Sequence, residues 1–202
     1  MPPGNNVPTR TVPLGHLCYN TCMKILVIGD THGKLNMVRD IMEKVTDPDM
    51  IIHTGDYYSD AQRLEEMYGI PVVGVSGNCD AGSGPANAVV ETEYGKLYVT
   101  HGAREGVSYK LDSLRYKALE EGCCCAVFGH THCAMVDETD DMRFVNPGSL
   151  PQPRDGSGGS YAIIRTSEDR FDASVVYYNT VIKKSGTKSG FLRNMSNYVD
   201  RF

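Results

Sequence analysis

The sequence predicts an α/β protein, a layered α/β/β/α sandwich of two mixed β-sheets flanked by helices, in a single domain. Three observations carry this. Short apolar runs alternate with helical segments as far as the Cys123-Cys124-Cys125 triplet, the pattern of βαβ units with a parallel core. Beyond the triplet the chain turns strand-rich, which supplies antiparallel partners. Five of the strands end in short polar blocks, as in open α/β sheets whose ligands collect at the carboxyl ends of strands.

Taken in order, residues 1–22 read as a disordered N-terminal extension. Pro2, Pro3, Pro8 and Pro13 interrupt any helix, and no apolar run marks a secretory signal. The lack of acidic residues there makes a transit peptide the weaker reading. Met23 opens the domain, expected over residues 23–182. Residues 24–28 form the first strand, followed by a helix over about 34–45, a strand at 50–52 and a helix over about 60–68. Ile70-Pro71 breaks that helix from the strand at 72–75. A strand at 97–99, a helix over about 109–121 and a strand at 126–128 follow. Residues 134–136 and 142–145 flank the acidic stretch 137–141, a solvated hairpin turn lacking the glycine and spacing of a calcium loop. The last strands are 161–165 and 173–178, with residues 156–159 a flexible glycine loop before them. Residues 183–202 are basic, with little apolar periodicity, and read as a tail.

A chain of 202 residues is long enough for one substantial core and short for two. With 25 acidic against 20 basic residues the net charge is -5, which argues against a partner as long and anionic as nucleic acid. No apolar run reaches the roughly 18 residues that cross a bilayer, so no membrane partner is expected; homo-oligomerisation is left open. Seven cysteines are an odd count, and neighbours on a strand point to opposite faces, so the triplet suits a buried strand better than a disulfide framework. A reducing, cytoplasmic setting fits. A soft-metal site from the triplet plus Cys133 matches no common zinc spacing.

The five blocks are Gly29-Asp30-Thr31-His32, Gly55-Asp56, Gly77-Asn78-Cys79-Asp80, His101-Gly102 and Gly129-His130-Thr131-His132. Singly each has an ordinary explanation. Asp30 can cap a helix, Asn78 can serve a turn, and His53 on its apolar strand reads as a satisfied core residue. Together they gather two Asp, one Asn and four His in one crevice. Asp-x-His at a strand end lets a carboxylate and an imidazole reach one cation, and Asp56 can bridge two cations through its two oxygens. Oxygen and nitrogen donors without thiolate suit Mn²⁺, Fe, Zn²⁺ or Ni²⁺ more than Ca²⁺. Two such ions clamp a phosphoryl group and generate hydroxide near neutral pH.

In these blocks the chain resembles the calcineurin-like metallophosphoesterases, closest to their small YfcE-type phosphodiesterase branch. Asn146-Pro147-Gly148-Ser149 followed by Pro153-Arg154 adds a segment typical of that branch. The resemblance implies one metal held by Asp30, His32, Asp56 and His132, and a second held by Asp56, Asn78, His101 and His130. Asp56 would bridge, Mn²⁺ would be the first choice of ion, and a hydroxide between the metals would attack a small phosphodiester. Asp56, Asn78 and His101 are the candidate catalytic residues. Two positions depart from the pattern. Cys79 stands where many superfamily members carry a histidine thought to protonate the leaving group, so the rate is expected to depend on leaving-group quality. The branch often shows His-Gly-His where this chain has His101-Gly102-Ala103, with Arg104 either a phosphate-facing replacement or a surface charge. The competing reading is a retromer-subunit-like scaffold with a vestigial site. A phosphomonoesterase or protein phosphatase is a third, weakened by the short chain and by Cys79.

Overall fold

The computed structural model describes residues 22–180 in full, together with the backbone of 10–12 and 181–182. The basic tail expected over 183–202 lies outside the described residues. Strands β1 (Arg10–Val12), β2 (Met23–Ile28), β3 (Met50–His53), β4 (Val72–Gly74), β5 (Asn87–Glu91) and β6 (Lys96–Thr100) are followed by β7 (Cys125–Val127), β8 (Met135–Glu138), β9 (Arg143–Asn146), β10 (Ser160–Ser167) and β11 (Arg170–Tyr177). Helices α1 (Asn36–Met42), α2 (Tyr58–Tyr68), α3 (Asp112–Glu120) and the short α4 (Tyr178–Ile182) complete the described chain. The strands form two mixed sheets, β1-β5-β6-β7-β9-β8 and β11-β10-β2-β3-β4.

Strand periodicity explains the layering. Ile25, Val27, Ile52 and Val73 point between the sheets, where they meet Leu97, Val99, Val127 and Val145 of the other sheet. Their neighbours Leu26, Ile28, Ile51 and Val72 point outward onto Val38 and Ile41 of α1 and Ala61 and Leu64 of α2. On the far side Tyr98, Ala126 and Phe144 pack against Leu114 and Ala118 of α3. Alternation of period two therefore makes three apolar layers from two sheets. Truncating a fully buried side chain such as Ile52 to alanine removes about 2–5 kcal/mol.

The structure differs from the sequence expectation at several ends. Helix α2 starts at Tyr58 rather than near residue 60, because the Asp80 carboxylate, far along the chain, accepts the N–H groups of Tyr57 and Tyr58 at 3.2 and 2.6 Å. It stops at Gly69, which takes a left-handed conformation (φ 65) one residue before the Ile70-Pro71 turn. Strand β5 was not among the expected strands; it forms a hairpin with β6 across a tight turn in which the Thr92 and Gly95 backbones bond each other. The region expected to stand apart from the domain contributes β1, which pairs in parallel with β5 through Arg10, Thr11 and Val12. That edge of β5 otherwise carries unpaired donors and acceptors, a ready template for another strand. Residues 1–9 and 13–21 lie outside the described residues.

Candidate metal centre

All five polar blocks follow the strands β2, β3, β4, β6 and β7, so side chains distant in sequence converge at one end of the sandwich. Asp30, His32, Asp56, His130 and His132 all have positive φ (50, 46, 51, 70 and 58°). Each such residue costs about 1–3 kcal/mol and persists only where its surroundings over-determine it. The turns that aim these side chains inward are strained, and the rest of the fold holds them so. Two glycines permit the close approach. A Cβ on Gly77 would collide with the backbone and carboxylate of Asp56, and one on Gly55 (φ 103) would lie 2.8 Å from His101 Nδ1.

One group of donors comprises Asp30, His32, Asp56 and His132, whose ligand atoms all lie within 4.8 Å of one another. His132 Nε2 stands 3.3 Å from Asp30 Oδ1 and 3.5 Å from His32 Nε2, which in turn lies 3.9 Å from Asp56 Oδ2. His132 Nδ1 donates to the carbonyl of Gln152 at 2.7 Å, so in the neutral ring Nε2 presents a lone pair. Asp30 Oδ1 is fully buried and accepts no hydrogen bond among the described residues. The Asp30 carboxylate raises the pKa of His132. A buried, orphaned carboxylate oxygen facing imidazole lone pairs calls for a positive charge among them. Neighbouring donors about 2.1 Å from a shared cation stand about 3.0–3.4 Å apart; the Asp30–His132 pair meets that spacing and the other pairs are wider.

The second group lies across Asp56. His101 Nδ1 donates to the Thr54 carbonyl at 2.9 Å, which turns Nε2 toward Asn78 Oδ1 at 2.9 Å and Asp56 Oδ1 at 3.5 Å. His130 Nδ1 comes within 3.0 Å of the same Asn78 oxygen. These contacts bring together every residue expected at the site. Burial pushes the Asp56 carboxyl up, but the Cys79 N–H donated to Oδ1 at 3.0 Å and the nearby His101 outweigh it, and its pKa is lowered overall. Burial lowers the pKa of His130. Both residues are held in donor form.

Several supporting residues carry no obvious signal of their role in the sequence. Asp80 closes the 77–80 turn by accepting the Gly77 N–H at 2.7 Å. Ser149 Oγ donates to the Asp30 carbonyl at 2.9 Å and accepts the Gln152 N–H, while Asn146 Nδ2 donates to the Gly129 carbonyl and to Thr131 Oγ1. The Asn-Pro-Gly-Ser segment thus straps both histidine-bearing turns, largely through backbone carbonyls that residue type alone does not reveal. Asp30 caps no helix; its Oδ2 accepts the His130 N–H at 3.2 Å. His53 is a satisfied core histidine, as expected. Thr31 Oγ1 donates to Asp60, so His53 Nε2 donates to Thr31 Oγ1 at 2.9 Å, and burial keeps the ring neutral.

Cys79 is exposed, and slight burial and the Asp56 carboxylate raise its thiol pKa. The triplet and Cys133 enter no metal-holding cluster among the described residues. Arg154 is exposed on the loop after Ser149, and its charge acts on both His130 and His132. Arg104 lines a cavity beside Asn78 and His101. No helix among the described residues is long and apolar enough to cross a membrane.

Known proteins share this arrangement of strands and turns. A probable metallophosphoesterase, YsnB of Bacillus subtilis strain 168, is 32% identical over 161 residues, covering 78% of this chain and 91% of that protein. The phosphodiesterase YfcE of Escherichia coli K12 is 25% identical over 169 residues, covering 70% of this chain and 87% of YfcE. A crystal structure of a conserved protein from Streptococcus pneumoniae TIGR4, described as a predicted phosphoesterase, superposes with a TM-score of 0.68 at 26% identity, covering 79% of this chain and 91% of that one. Residues 23–169, which carry all seven converging donors, match the model of the calcineurin-like phosphoesterase superfamily domain, and the chain belongs to that superfamily.

Proposed function

We propose that the chain is a metal-dependent phosphodiesterase that holds two divalent ions, Mn²⁺ in first place, and hydrolyses small phosphodiesters. The observation that supports it is the convergence of two donor groups on the two oxygens of one buried carboxylate, Asp56. Asp30, His32 and His132 would hold one ion with it, and Asn78, His101 and His130 the other. When bound, such a pair supplies Lewis-acid stabilisation of the phosphoryl oxygens and a hydroxide at neutral pH.

The chain's own residues prepare that chemistry. The carbonyls of Thr54 and Gln152 fix the tautomers of His101 and His132, and the Cys79 N–H keeps Asp56 ionised. Arg154 places a positive charge on the solvent side of the histidines, suited to a phosphate approaching from there. No side chain at position 79 titrates near neutrality, which favours esters with good leaving groups. The relatives named phosphodiesterase support diesters as the substrate class. A retained donor set weighs against the scaffold reading.

A metal-by-substrate screen tests this. Chelated protein should lose hydrolysis of an aryl phosphodiester, Mn²⁺ should restore it better than Ca²⁺, and the matching monoester should be cleaved more slowly. Full activity in metal-stripped protein would overturn the metal assignment, and a preference for monoesters would favour the phosphatase reading.

A further inference from the structure

Beside Asn78 and His101 lies a half-open cavity of about 200 Å³, formed by the turns that follow β4 and β6. Its walls are mostly small: Ala81, Gly82, Ala86, Gly102 and Ala103 line it. Two formally charged residues line it, Arg104 and Glu105. Glu105 is buried and already engaged, with Oε1 accepting from Lys117 Nζ at 2.7 Å and Oε2 from Thr100 Oγ1 at 3.3 Å. Arg104 is exposed and, among the described residues, has neither an ion pair nor a hydrogen-bond partner. The uncommitted charge of this cavity is therefore a single guanidinium, a fork suited to phosphate or carboxylate oxygens.

We infer that the cavity receives one ester arm of the substrate and selects an arm that carries a second anionic group, bound by Arg104. The inference rests on the phosphodiesterase reading for its substrate and on the cavity for its specificity. The small volume admits a compact arm and excludes a folded macromolecule. The substrate class is accordingly a small diester with a phosphate or carboxylate on one arm.

Two p-nitrophenyl phosphodiesters, one with an ethyl arm and one with a 2-phosphonoethyl arm, test it when all products are followed by phosphorus NMR. Wild type should prefer the anionic arm by about tenfold or more in kcat/KM, the scale of a charge-assisted hydrogen bond. Arg104→Ala should erase that preference, and Arg104→Lys should keep part of it. Equal rates for the two esters in wild type, or a preference that survives Arg104→Ala, would overturn the inference while leaving the phosphodiesterase reading intact. A second measurement uses calorimetric binding of inorganic pyrophosphate to chelated full-length protein. Binding should weaken at least about fivefold in Arg104→Ala, and unchanged binding would also overturn the inference. Arg104-dependent binding without hydrolysis of either ester would retain the anion site and reject the phosphodiesterase reading.

Discussion

The two halves of the candidate centre share Asp56 and are otherwise built to different specifications. Around Asp30, His32 and His132 the donors are buried or half-buried, and one carboxylate oxygen is sealed from solvent without a hydrogen bond. Around His101, Asn78 and His130 the outermost donor is an exposed, neutral amide, and the Arg104 cavity lies beside it. A buried carboxylate without a positive partner is costly, so the first half favours a cation, or a protonated His132, beside Asp30. An exposed amide makes no such demand. On the proposed two-ion reading, this difference would give tighter retention to the first half and easier exchange to the second.

The largest expected effect comes from removing what the halves share. Asp56→Asn should lower hydrolysis by more than the roughly 100-fold upper range seen when only an outer-shell partner is lost. Elemental analysis should show metal content falling below that of wild type. Unchanged metal content would mean that the halves do not depend on a common bridge.

Separating the halves should give smaller, asymmetric losses. Calorimetric titration with Mn²⁺ should resolve a tighter and a weaker event. His32→Ala should weaken the tighter event and Asn78→Ala the weaker one, each by roughly tenfold or more. The reverse assignment would invert the comparison.

The smallest effect is electrostatic and is read in chelated protein by titrating the imidazole nitrogens by NMR. His53, behind the first half, is lowered by burial, so the unfolded chain takes up its proton first. Its contribution is fully present above about pH 6.5 and is lost as pH falls from there toward the folded value, at up to about 1.4 kcal/mol per pH unit. His132 runs the other way, because the Asp30 carboxylate raises it. Its contribution is present below about pH 6.5 and is lost as pH rises through its folded pKa. Indistinguishable titrations of the two rings would remove the electrostatic contrast between core and site.

Much of the architecture is legible from residue order. The apolar runs of β2, β3 and β4 alternate faces as strands should, and the polar blocks after them announce a ligand-bearing end. Less visible is β5, whose Ala88-Val89-Val90 core is short and flanked by Asn87 and Glu91. Its strand character comes from pairing with β6. The start of α2 is equally hidden, because its cap is Asp80, more than twenty residues downstream.

Side-chain chemistry, strand period and the order of the blocks are local properties, and they alone single out the oxygen and nitrogen donors at strand ends as the candidate set. Which atoms face one another is not local. The left-handed turns at Asp30, His32, Asp56, His130 and His132 are unfavourable in isolation and exist because distant groups hold them. Those groups include Ser149 on the Asp30 carbonyl, Gln152 on His132, the Asp30 carboxylate on the His130 N–H and the Cys79 N–H on Asp56. Only packing of the two sheets brings these partners together, so the donor types belong to the sequence and their convergence, tautomers and burial belong to the tertiary structure.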